Sequence, residues 1–198
     1  NEKLVLGQIP FDSDRRRMSV VVEHDGELWL YCKGAPEVVL QLCDQLEQGG
    51  AEIPLDDAGR QVIVAAQDAM ADGGLRVLAF AFRRLGAAEA PVEQAMVFSG
   101  LVGLHDPPRP EVPEAIARCA SAGIKVIMVT GDHPHTALAI AREIGLVRGP
   151  QPSVILGESL RKLTPAQLQI SLDHLEIIFA RVTAEQKMLV VNALKNKG

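Results

Sequence analysis

The stretch His105-Asp106-Pro107-Pro108-Arg109-Pro110 constrains this chain more than any other. Three prolines within four positions remove backbone donors and lock φ, so the segment can be neither helix nor central strand. The hydrophobic rhythm differs on its two sides. Before it, Val20-Val21-Val22 and Leu28-Trp29-Leu30-Tyr31-Cys32 flank His24-Asp25-Gly26-Glu27, in which Asp-Gly signals a tight hairpin. Helices are predicted over 36–45, with Pro36 in the first turn, and over 57–71, stopped by Gly73-Gly74. Two β-rich runs follow, 75–82 and 96–104. This half reads as α+β.

Beyond the prolines, helix and strand alternate. The pattern predicts a helix over 111–122, a strand over 124–129, a helix over 134–144 and a short strand over 154–156. A strand over 177–180 lies between two helices opened by Thr164-Pro165-Ala166-Gln167 and Thr183-Ala184-Glu185-Gln186. Both openings match the capping box, Thr at the cap and Gln three residues on. Val126-Ile127-Met128-Val129 and Ile177-Ile178-Phe179-Ala180 are apolar on both faces, as strands of a buried parallel sheet are. This half reads as a doubly wound α/β unit.

Composition narrows the function classes. With 198 residues, 47% hydrophobic and 23% charged, the chain suits a soluble globular protein of one large or two small domains. Aromatics are only 4%, so the core should be aliphatic. No apolar run reaches the ~18–20 residues of a membrane span, and the opening Asn1-Glu2-Lys3-Leu4 lacks the marks of a signal peptide. A net charge of −5 argues against a nucleic-acid or anionic-lipid partner. Nine basic and sixteen acidic side chains in residues 1–100, against eleven and nine in 101–198, again suggest two units. Cys32, Cys43 and Cys119 are odd in number and form no CxxC, and no histidine cluster accompanies them. They read as free thiols, with no metal site.

Candidate chemistry lies where strands give way to helices. Thr130-Gly131-Asp132 follows an apolar strand and precedes a helix opened by Pro134. Such a turn offers a hydroxyl, a close backbone approach and helix N-terminal N–H groups to a phosphate. A plain turn with Asp132 as N-cap would look the same. Arg181 and Lys187 stand just past the next apolar strand, where they could reach that phosphate or be solvated surface cations. Lys33-Gly34-Ala35-Pro36-Glu37 joins a strand to a helix. Phe11-Asp12-Ser13-Asp14-Arg15-Arg16-Arg17 combines a ring able to stack on a base with arginines able to grip phosphate.

Taken together, PFDSDRRRMSVV (10–21), YCKGAPEVVLQLC (31–43), GLVGLHDPPRPEVPEAI (100–116), GIKVIMVTGDHPHTALAIAREIGL (123–146) and IFARVTAEQKMLVV (178–191) resemble the P-type cation-transporting ATPases in content and order. Their wording is similar to the calcium-pump and sodium/potassium-pump branch. The resemblance implies that 1–106 is part of a nucleotide-binding domain, an antiparallel sheet with helices. It implies that 107–198 is part of a phosphorylation domain, an incomplete haloacid-dehalogenase-like (Rossmannoid) α/β fold, with 106–109 as the hinge.

By the same resemblance, the adenine of ATP stacks on Phe11, with Arg16 and Lys33 nearby and Arg76 reaching the phosphate tail. Some members carry an arginine where Ser13 stands. Thr130, Gly131 and Asp132 would face the transferring phosphate, with Arg181 and Lys187 supplying positive charge; Thr130, Asp132 and Lys187 would be the catalytic set. The DKTGT nucleophile motif and the GDGVND magnesium motif are absent from this sequence. The expectation is therefore a catalytically inactive piece of the cytoplasmic headpiece, soluble by itself, from a membrane pump that uses ATP and magnesium. Its partners would be ATP, the pump's other domains and its membrane helices, with open sheet edges a route to homo-association. The alternatives are a free-standing haloacid-dehalogenase-type phosphohydrolase and a non-catalytic nucleotide-binding module.

Overall fold

The computed structural model describes residues 4–86 and 89–197. The chain forms two compact units. One holds the described residues up to Met70 together with Val77–Leu104, and the other holds Ala71–Arg76 together with the residues from His105 onward.

The first unit is a mixed α/β structure built on a large, mostly antiparallel sheet. Its strands are β1 (Leu4–Asp12), β2 (Arg17–His24), β3 (Glu27–Gly34), β4 (Cys43–Gln48), β5 (Ala51–Pro54), β6 (Arg76–Leu85) and β7 (Met96–Leu104), in the order β1-β2-β3-β6-β7-β4-β5. Asp25 and Gly26 take the positive φ values of 52° and 79° that the Asp-Gly hairpin requires, and β2 and β3 pair from His24↔Glu27 to Arg17↔Gly34. The β4–β7 pair is parallel. Alternation puts Leu30 and Cys32 of β3 on the inner face, where Val39, Ala79, Ala81 and Met96 join them in a mainly aliphatic core. Helix α2 (Asp57–Asp72) ends where expected, with Gly74 left-handed (φ 77°) and its N–H on the Ala71 carbonyl.

The helix predicted over 36–45 is much shorter. Helix α1 covers Pro36–Val39, a 3₁₀ turn covers Leu40–Leu42, and Cys43 is already extended as the first residue of β4. Tertiary contacts override the helical pattern here. The Arg60 guanidinium bonds the Leu40 and Cys43 carbonyls at 2.8 and 2.6 Å, while residues 43–48 pair with β5 and β7. Burial pushes the Cys43 thiol up to about 12, and all three cysteines are free.

The second unit has a three-stranded parallel sheet, β8 (Met128–Val129), β9 (Ser153–Leu156) and β10 (Ile177–Ala180), in the order β8-β10-β9. Helices α3 (Val112–Ser121), α4 (Pro134–Glu143), α5 (Gly157–Leu160), α6 (Pro165–Ser171) and α7 (Ala184–Lys197) accompany it. All four residues of β10 are buried, as the central strand of a sheet covered on both faces should be. The strand predicted over 124–129 is reduced to its last two residues. Its partner β10 begins only at Ile177, and Lys125 turns instead to the carbonyls of Leu172 and His174. Both threonine caps form: Thr164 and Gln167 exchange the two bonds of a capping box, and Thr183 and Gln186 do the same. Among the described residues, no helix is long and apolar enough to cross a membrane.

Candidate functional site

In the first unit, the turn between β1 and β2 is built by its own acid. Asp12 accepts the N–H groups of Asp14 and Arg15, and these backbone bonds, chiefly that of Arg15, hold its carboxyl below the ordinary carboxylate value. The turn closes with Arg16 in the left-handed region at φ 51°, and the Arg16 carbonyl accepts the Ala35 N–H at 3.0 Å. Gly34 is needed there for space rather than for φ. A Cβ on it would lie 2.5 Å from the Arg16 carbonyl oxygen and 2.8 Å from the Arg17 Cα. Backbone thus locks the arginine turn onto Lys33-Gly34-Ala35.

Each of the three arginines has an acid. Glu93, which precedes β7 and is 9% exposed, takes Arg17 Nε at 2.7 Å, Arg15 at 3.3 Å and the Ser19 hydroxyl at 2.7 Å. Arg16 pairs with Glu37 of α1 at 2.8 Å. Lys33, directly across β2–β3 from Met18, is exposed, and its ammonium has no hydrogen bond or ion pair among the described residues. Phe11 is 64% exposed and has no ring partner among them. One end of the sheet therefore gathers Phe11 on β1, the Arg16 turn and Lys33 on β3: an open aromatic face, an open cation and a paired one. Glu93 escaped the sequence reading because a single Glu in a loop carries no local signal.

The Glu93 network yields a pH-dependent expectation. Burial pushes its carboxyl up, but the Ser19 hydroxyl, the Arg17 bond and the charges of Arg17 and Arg15 outweigh that and hold it below the ordinary value. A depressed folded value stabilises the fold above the unfolded glutamate pKa, and the gain disappears as pH falls through the folded value. Glu93→Gln should therefore cost about 2 kcal/mol near neutrality, within the ~1–3 kcal/mol lost when buried hydrogen-bonding groups are left unsatisfied. Thermal melts of the two proteins should converge towards pH 3. A constant gap from pH 7 to pH 3 would show that the charge is not what matters.

In the second unit, Thr130-Gly131-Asp132 connects β8 to α4. The Thr130 hydroxyl donates to Asp132 Oδ2 at 2.7 Å and accepts the Asp132 N–H at 3.1 Å. His133, not Asp132, occupies the N-cap position of α4, and its side chain makes no capping bond, so the plain-turn alternative with Asp132 as cap is not what forms. A Cβ on Gly131 would meet only the Val182 carbonyl oxygen, at 3.7 Å. The space that glycine leaves over the backbone is open rather than filled by the fold.

The turn after β10 is tied to this one. Arg181 N–H bonds the Asp132 carbonyl at 3.1 Å, and Val182 N–H bonds that of Thr130 at 3.1 Å. Arg181 is left-handed, at φ 54°. Lys187, in the first turn of α7, is exposed, and its ammonium has no hydrogen bond or ion pair among the described residues. Arg76 lies with its Nε 4.0 Å from Asp132 Oδ1, and both side chains are open to solvent. Beneath the Arg181 turn lies Gly157, where a Cβ would fall 2.2 Å from the Arg181 carbonyl oxygen. Gln186, 4% exposed, donates to the Gly157 carbonyl at 2.7 Å. The sequence reading took Gln186 only as a cap and passed over Gly157, although a glycine directly after an apolar strand was a legible hint of close approach.

Among the described residues no three His, Cys, Asp or Glu side chains converge as a metal site. Asp132 is the carboxylate of the Thr130 turn, and one carboxylate already bonded by a hydroxyl does not make a magnesium site on its own.

Residues 2–111 match the family model of the P-type ATPase cytoplasmic domain N. The chain is 38% identical over 196 residues to calcium-transporting ATPase 1 of Bacillus cereus, covering 98% of this chain and 22% of that protein. It is 34% identical over 231 residues to the sodium/potassium-transporting ATPase subunit alpha-A of Artemia franciscana, covering 98% and 23%. Calcium-transporting ATPase 1 of Saccharomyces cerevisiae is 36% identical over 200 residues, covering 96% and 21%. The chain thus spans less than a quarter of the length of these relatives. With the arginine turn docked on Lys33-Gly34-Ala35 inside the matched region, the chain belongs to the P-type cation-transporting ATPase family, through its cytoplasmic domain N.

Proposed function

We propose that this chain is the ATP-handling part of an ATP-driven cation pump. Residues 1–106 act as part of a nucleotide-binding domain, and 107–198 as part of a haloacid-dehalogenase-like phosphorylation domain. Phe11 stacks on the adenine, while Lys33 and Arg16 face the phosphates. The observation that carries this reading is that Phe11 and Lys33 are left open at the end of the sheet where the Arg16 turn is locked to the strand end carrying Lys33. Thr130, Gly131 and Asp132 hold the transferring phosphoryl group, with the N-terminus of α4 behind it. Arg181 and Lys187 offset the charge that spreads over that group in the transition state, and Arg76 reaches the phosphate tail of ATP. Magnesium enters with ATP as part of the substrate, most of its ligands coming from outside this chain. The partners are ATP, the other pump domains and the membrane helices of a protein whose cytoplasmic side carries this region.

A free-standing phosphohydrolase is the less supported reading, because the family match over 2–111 falls on the part such an enzyme does not need. A candidate route to homo-association is β1, an edge strand with Leu4, Val5 and Leu6 each more than half exposed.

Calorimetric titration of the purified chain with ATP and with AMP tests the nucleotide assignment. Phe11→Ala should weaken both ligands about tenfold, since base stacking on an aromatic ring contributes ~1–3 kcal/mol. Lys33→Ala should weaken ATP by a similar factor and AMP less, because the lost charge faces the phosphate tail. Unchanged affinities in both variants would remove these residues from the site.

A further inference from the structure

Resting on the nucleotide reading above, we infer that Glu37 competes with the nucleotide for Arg16, so that ATP must displace an internal ion pair to use that arginine. Three observations lead there. Arg15 and Arg17 are committed to the buried Glu93, which leaves Arg16 as the arginine of the turn directed elsewhere. The Arg16 side chain already bonds Glu37 at 2.8 Å, with the two side chains 40% and 35% exposed. Its backbone cannot drift away, because its carbonyl is bonded by Ala35 N–H and Gly34 leaves no slack beneath it. The rigid turn therefore holds Arg16 within reach of two anions, the Glu37 carboxylate and the phosphate tail of a nucleotide on Phe11 and Lys33.

The pair is exposed enough to open. Ion pairs of this exposure contribute little to stability, so a triphosphate of several charges can outcompete a single carboxylate. A ligand with less phosphate charge gains less from the exchange. Glu37 then acts as a specificity-determining residue: it lowers the affinity for every phosphate-bearing nucleotide, and it sets how strongly the site prefers long phosphate tails. Glu37 lies two residues past Ala35, in the first turn of α1, so its carboxylate is carried by the same rigid element that receives the arginine turn.

The test is titration of the unaltered chain, Glu37→Gln, Arg16→Gln and the double variant with ATP, AMP and adenosine at low salt. Circular dichroism and the melting temperature of each variant serve as the check on folding. Glu37→Gln should tighten ATP about two- to fivefold, as expected for release of an exposed ion pair, with a smaller gain for AMP and none for adenosine. In the Arg16→Gln background the same change should have no effect on ATP. Equal or weaker ATP binding by Glu37→Gln overturns the inference. So does an equal gain with Arg16 absent, which would mean that removing any nearby negative charge suffices. If Glu37→Gln fails to fold, the arginine side-chain NH resonances of the unaltered chain decide: that of Arg16 should shift on adding ATP and not on adding adenosine, and an unshifted Arg16 signal at saturating ATP overturns the proposal. An unaltered chain that binds no ATP removes the nucleotide reading itself and this inference with it, whereas normal ATP binding with an inert Glu37 removes only the inference.

Discussion

Gly34→Ala should lower the melting temperature of the first unit by on the order of 10 °C and abolish measurable ATP binding. The added Cβ would sit 2.5 Å from the Arg16 carbonyl oxygen, 2.6 Å from the Arg17 Cβ and 2.8 Å from the Arg17 Cα. Two of these three atoms belong to backbone, so no rotamer change can relieve the contact. Overpacking of this kind costs about 1–3 kcal/mol, and a 60–100-residue domain loses ~4–8 °C for each kcal/mol. The functional loss should exceed the loss of stability. Relief requires the β1–β2 turn to lift off Ala35, which breaks the Ala35 N–H bond to Arg16 and displaces Arg16 from the strand end carrying Lys33. A melt with hydrogen exchange on the β2–β3 pair measures the first effect, and ATP calorimetry below the new melting temperature measures the second. A Gly34→Ala chain that melts with the unaltered protein and binds ATP equally would show that the turn has slack that the backbone geometry does not reveal.

Gly157→Ala should be the equivalent lesion in the second unit. A Cβ there meets the Arg181 carbonyl oxygen at 2.2 Å, its carbon at 3.0 Å and Gln186 Oε1 at 2.7 Å. The Arg181 backbone is also bonded to Asp132 and already left-handed, so the turn has few directions in which to move. Either α5 retreats, or the turn shifts and carries the start of α7, with Lys187, along with it. The expected cost is again about 3 kcal/mol, the upper part of the overpacking range. Faster amide exchange should appear at Arg181, Val182 and Lys187, since their N–H bonds to Asp132, Thr130 and Thr183 hold that turn. Exchange unchanged across 181–187 would mean that Gly157 gives way alone and does not position the turn.

How far the sequence could be read differs between elements for physical reasons. The β2–β3 hairpin was legible because Asp25-Gly26 demands positive φ whatever surrounds it. The stop at Gly74 and the caps at Thr164 and Thr183 were legible because their bonds close within three or four residues. The helix predicted over 36–45 failed because residues 40–45 are claimed by partners distant in sequence, Arg60 and the strands β5 and β7. The strand predicted over 124–129 failed similarly, since an apolar run extends only as far as its neighbour does.

The candidate site residues divide along the same line. Phe11, Arg16, Lys33, Arg76, Thr130, Gly131, Asp132, Arg181 and Lys187 could be named as candidates because their residue types lie within contiguous motifs. Their state could not. That Arg15 and Arg17 are consumed by Glu93, that Arg16 is paired with Glu37, and that the Lys33 ammonium is left open depend on contacts spanning up to 78 residues. By itself the sequence determined the family, the change of rhythm at the proline segment and the identity of the chemical groups, because these reside in local composition and spacing. Only the tertiary structure decided which of these charges are paired and which stay open among the described residues. Ion pairing depends on distance in space, and a charge run reads the same in sequence whether or not a buried carboxylate waits beneath it.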